Sequence, residues 1–122
     1  MRAADSIEKI SSRRPEFLHA HKKQLIELLN SSENKESKWH LAQLVSRVKL
    51  TGKEKNKVIS ILQQWLTDKS ESRIVRVNSL QALFEISKSR REELGQLERV
   101  VAQIYREKIP SLNARIRKLF GN

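Results

Sequence analysis

The chain reads as a single all-α domain on three observations. Its 122 residues include only three glycines and two prolines, too few breakers for the many turns of a small β fold. Hydrophobic residues make up 38% and charged ones 32%, a balance suited to amphipathic helices. Apolar residues recur at helical spacing almost throughout. The length allows one moderate core and not two ordinary ones, so residues 1–122 are one domain.

The spacing predicts seven helices, at roughly 3–12, 15–30, 37–48, 53–67, 72–88, 92–108 and 110–120. In the second, Leu18, Leu25, Leu28 and Leu29 draw one stripe, with His21 on the missing rung. Pro15 suits its first turn, where an N–H has no helical partner. The third carries Trp39, Leu41, Ala42, Leu44, Val45 and Val48 on more than one side, which requires cover from several neighbours. The fourth opens on a capping box, Thr51 with Glu54, and continues with Val58, Ile61, Leu62, Trp65 and Leu66 on one stripe. The fifth is apolar over most of its circumference, from Ile74 and Val75 to Phe84 and Ile86. The sixth follows a second capping-box pattern, Ser89 with Glu92, and places Leu94, Leu97, Val100, Val101, Ile104 and Tyr105 on one stripe. Pro110 opens the seventh. Polar connectors at Ser31, Ser32 and Asn34, and at Asp68, Ser70 and Ser72, are short, so successive helices should pack as antiparallel neighbours.

The segment SKWHLAQLVSRV at 37 recurs in character as SRIVRVNSLQALFEI at 72 and, shortened, as PSLNARIRKLF at 110. Each has a polar cap, an apolar residue, a basic or aromatic one, then aliphatics, giving two helices per unit and a period of about 35 to 39 residues. Over residues 36–120 this resembles the HEAT-repeat family, most clearly in IVRVNSLQAL, where Val75, Arg76, Leu80 and Leu83 match its valine-arginine start and leucine-rich continuation. Trp39 stands near the position where the family usually has arginine. The resemblance implies a short right-handed α-solenoid of antiparallel helix pairs and a structural part for Arg76, bonded within or between repeats.

Composition narrows the function. With no cysteine there is no disulfide, thiolate nucleophile or thiolate metal site, and the reducing cytoplasm is the expected compartment. Charges interrupt MRAADSIEKISSRRPEF before any hydrophobic run, so no signal peptide is expected, and no stretch nears the roughly 18 apolar residues of a membrane span. Three histidines, His19, His21 and His40, are the sole candidates for acid–base work at neutral pH, and His19 and His21, two apart, diverge on a helix and cannot share a metal. No HExxH, glycine-rich phosphate loop or GxSxG elbow is present. The expectation is a non-enzyme with no catalytic residues, no metal and no cofactor. Trp65 belongs to its helix's apolar stripe, and Trp39 to helix packing rather than to ring stacking on a ligand.

Charge is the informative feature. The net charge is +11 and the pI about 10.4, favouring anionic partners. In a two-helix repeat, turns within repeats lie along one edge and turns between repeats along the other. The first set holds Arg13 and Arg14, then Arg47, Lys49, Lys53, Lys55 and Lys57 against Glu54, then Lys88, Arg90 and Arg91, for a net +9. Counting Glu92 and Glu93 lowers it to +7. The second set holds Glu33, Lys35, Glu36, Asp68, Lys69, Glu71, Glu107 and Lys108, for a net −2. Helix-dipole compensation explains Arg47, Lys49 and Lys88, at helix C-termini. It does not explain Lys53, Lys55 and Lys57 in the stretch KLTGKEKNK, at a helix start where cations are mildly unfavourable. The ten basic residues of the first set are the candidate site for an anionic partner. The expected role is a binding or scaffold module for an acidic protein surface, with nucleic acid as the alternative. A HEAT-like class of alkylpurine DNA glycosylases is longer, and no catalytic aspartate or lesion-contacting aromatics of that kind can be matched in this chain.

Overall fold

The structure, a computed structural model, describes residues 21–121. Those residues form six helices and no strand: α1 (Lys22–Ser31), α2 (Lys35–Val45), α3 (Gly52–Thr67), α4 (Arg73–Ser87), α5 (Arg91–Tyr105) and α6 (Pro110–Phe120). The predicted helix at 3–12, Pro15 and the first residues of the 15–30 helix lie outside the described residues.

Local chemistry sets most of the helix ends. Asn34 accepts from the amides of Glu36 and Ser37, so α2 starts two residues earlier than its apolar pattern does. The predicted box before α3 forms in full: Thr51 Oγ1 accepts from Glu54 N at 3.3 Å, and Glu54 Oε1 accepts from Thr51 N at 2.9 Å. Ser72 caps α4 by accepting from Val75 N, and Pro110 opens α6. The box predicted at Ser89 and Glu92 does not form, because Arg90 N donates back to Ser87 O and holds Ser89 inside the turn; Arg90 becomes the N-cap, with no side-chain cap. At its far end α5 stops at Tyr105, short of the predicted 108. Lys108 takes a left-handed backbone (φ 58°) and Ile109, preceding proline, is extended.

The core runs through every helix: Leu25 and Leu29 of α1, Leu41, Leu44 and Val45 of α2, Val58, Leu62, Trp65 and Leu66 of α3, Val75, Leu80 and Leu83 of α4, Leu97, Val101 and Ile104 of α5, and Leu112 and Ile116 of α6. Helix α4 lies in the middle, packed against α2, α3, α5 and α6, which accounts for its apolar residues on several sides. Helices in contact include four successive pairs, α1–α2, α3–α4, α4–α5 and α5–α6, and the alternate pairs α1–α3, α2–α4 and α4–α6. Two polar pairs fix the direction of α2 against α4: Lys38 with Glu71, just before α4, and Gln43 Nε2 donating to Asn78 Oδ1 at 3.0 Å. Arg76 with Glu107 and Arg115 Nη1 donating to Gln81 Oε1 at 2.7 Å do the same for α4 against α6. Helices α2, α4 and α6 therefore run in one direction. These four pairs join residues 33, 35, 31 and 34 apart in the chain.

Arg76 is 2% exposed. Its Nε donates to Leu66 O at 2.8 Å and its Nη2 to Glu107 Oε2 at 3.0 Å, tying the end of α3 to the α5–α6 turn. Trp65 is buried, with Lys38 Nζ 5.4 Å from its ring centroid. Trp39 is half-buried and packs on the core, with His40 stacked on it at 3.7 Å between centroids.

Candidate anion-binding edge

Ion pairs draw the first turn of α1, the α2–α3 turn and the start of α5 together. Lys22 Nζ lies 2.9 Å from Glu54 Oε1 and donates to Lys49 O at 3.2 Å. Lys55 Nζ lies 3.1 Å from Glu93 Oε2. The basic turns before α3 and before α5 therefore share one edge, and the first turn of α1 joins them.

The candidate residues divide by environment. Arg13 and Arg14 lie outside the described residues. Arg47 and Lys49 stand exposed in the α2–α3 turn. Lys53 and Lys57, one helical turn apart on α3, are exposed and have no ionic or hydrogen-bonded side-chain partner among the described residues. Arg90 and Arg91 are likewise exposed and unpaired through their side chains. Lys55 differs: it is half-buried and its charge is committed to Glu93. A helix-to-helix link thus explains Lys55 without a ligand. Lys88 reaches Glu85 of its own helix at 2.7 Å, a solvated pair of small energetic weight.

Sequence reasoning missed three participants. Lys22 and Lys23 fell inside the predicted 15–30 helix and so were not counted on the edge, whereas the structure places them in the first turn of α1. Glu93 enters the sequence reading only as a charge that lowers the edge total, whereas the structure pairs it with Lys55. The available signal was the alternative window that included it in the turn.

Lys23, Ile26 and Glu27 of α1 and Lys53, Glu54 and Lys57 of α3 line a cleft of about 230 Å³. Glu54 is satisfied within the fold: the Thr51 amide and the Lys22 ammonium hold its carboxyl below the usual carboxylate value. Lys23, Lys53 and Lys57 thus face Glu27 with two positive charges in surplus.

A larger concavity of about 400 Å³ lies between α5 and α6, lined by Val101, Tyr105, Ile116 and Phe120, with Glu98 and Arg106 at its polar margin. Among the described residues no three histidine, aspartate or glutamate side chains come together as a metal site. His21 Nδ1 lies 2.8 Å from Gln24 Oε1 of its own helix. No helix among the described residues is long and apolar enough to cross a membrane. Comparison with protein-family models, curated proteins and solved structures finds no match for this chain.

Proposed function

We propose that this chain is a non-enzymatic helical-repeat module, a short right-handed HEAT-like solenoid of the cytoplasm, that engages an acidic protein partner through its basic edge. The repeat reading is supported by the alternate-helix contacts and by four inter-helix polar pairs that recur 31 to 35 residues apart.

One observation carries the functional reading. After the ion pairs among the described residues are made, Lys53, Lys57, Arg90 and Arg91 remain exposed on one edge with no side-chain partner among those residues. Exposed like charges held together without counterions repel one another and draw an anionic surface to them. Glu27, Glu54, Glu92 and Glu93 interrupt the lysines and arginines. A patch so interrupted suits the discrete, alternating charges of a protein better than the uniform phosphate track of a nucleic acid.

The test measures binding of a fluorescein-labelled glutamate-rich peptide, a 20-base-pair DNA duplex and a single-stranded RNA across salt concentrations. The peptide should bind at low salt, and Lys53→Glu with Lys57→Glu should weaken it more than tenfold. Tighter binding of DNA or RNA, with a log–log salt slope of about −0.9 per phosphate on duplex, would replace the acidic-protein reading with the nucleic-acid one.

A further inference from the structure

From the α1–α3 cleft we infer that the edge recognises a linear acidic segment carrying an aliphatic residue between carboxylates, and that the aliphatic side chain enters the cleft beside Ile26. This rests on the basic-edge reading and specifies the partner's form. Pockets for drug-sized ligands run to roughly 300–1,000 Å³, so a cleft of about 230 Å³ holds one or two side chains. An extended segment fits that volume, and the flat face of a globular domain does not enter it. Ile26 supplies an apolar wall, itself 6% exposed. Lys23 on one wall and Lys53 and Lys57 on the other flank it with ammonium groups.

The two positive charges in surplus match a pair of carboxylates, one from each side of the inserted residue. Phosphodiester backbones have no aliphatic side chain to fill the space beside Ile26. Among the described residues Glu27 is the one opposing charge in the cleft left without an ionic partner, since Glu54 already holds Lys22. It sets a limit on how acidic the segment is beside α1, and it supplies a diagnostic position: removing its charge should tighten binding.

The probe is an acetylated, fluorescein-labelled heptapeptide of sequence Gly-Glu-Asp-Leu-Asp-Glu-Gly, compared with the same peptide carrying serine in place of leucine, by anisotropy on the full chain. The leucine peptide should bind at least fivefold more tightly than the serine peptide. Lys23→Glu should weaken it about tenfold, Glu27→Gln should tighten it two- to fivefold, and Arg90→Glu with Arg91→Glu, which lies outside the cleft, should weaken it only about threefold through the loss of longer-range attraction. Equal affinity for the two peptides, or a loss on the Arg90/Arg91 variant as large as that on Lys23→Glu, would overturn the cleft assignment and leave the general basic edge standing. Absence of binding by either peptide at low salt would overturn both.

Discussion

The two edges of this molecule contain similar residue types and use them differently. Along the edge formed by the α3–α4 and α5–α6 turns, the acidic residues are taken up by the fold, and Lys69 and Lys108 stay exposed beside them. Glu71 takes Lys38 from α2, and Glu107 takes the buried Arg76. Asp68 accepts from the hydroxyl and amide of Ser70, which hold its carboxyl below the usual value. Along the edge formed by the α2–α3 and α4–α5 turns, Lys22 and Lys55 are consumed in the same way, and Lys53, Lys57, Arg90 and Arg91 are left without a side-chain partner among the described residues. The turn in which a charged residue sits therefore does not determine what it does. Whether an opposite charge arrives from another helix does.

The largest effect expected from disturbing this division is on the paired edge. Arg76→Met would leave Leu66 O and Glu107 without their buried partner and should lower unfolding free energy by about 3 kcal/mol, measured by urea denaturation, while leaving acidic-peptide affinity unchanged. Thr51→Ala removes the cap of α3 on the basic edge and should cost about 1 kcal/mol. Glu93→Gln frees Lys55. Stability should fall by no more than about 1 kcal/mol, because the pair is partly solvated, and acidic-peptide affinity should rise two- to threefold. A rise would show that Lys55 becomes a fifth available cation.

The smallest effect is a proton equilibrium. Asp68 titrates below its ordinary value of 3.8, chiefly through the Ser70 hydroxyl. A group whose pKa is depressed by folding adds stability that is present above its unfolded pKa and is lost as pH falls through the folded one. Ser70→Ala should move the Asp68 carboxyl up toward 3.8 in an NMR titration, with Glu54 unmoved.

Periodicity made the helices legible, and caps placed several of their ends. Thr51 and Pro110 act where their types predict. The failures lie where backbone geometry outranked a side-chain pattern. The Ser87–Arg90 turn displaced the Ser89 cap, and the left-handed Lys108 with the pre-proline Ile109 shortened α5. Which turns carry basic residues was also legible, because connection lengths give it. Their division into paired and unpaired was not, since Lys55 meets Glu93 and Lys22 meets Glu54 across different helices, and no local spacing encodes those contacts. The α1–α3 cleft was illegible for the same reason.

The central claim is that place, not total charge, makes the binding surface. It is tested most directly by two charge-matched variants assayed with the labelled acidic heptapeptide: Lys53→Glu with Lys57→Glu on the basic edge, and Lys69→Glu with Lys108→Glu on the opposite one. Each lowers the net charge from +11 to +7, and all four lysines are exposed. The first should lose more than tenfold in affinity with its thermal midpoint unchanged or slightly raised, since glutamate suits the start of α3; the second should stay within about twofold of the unaltered chain. Equal losses in the two variants would contradict the account.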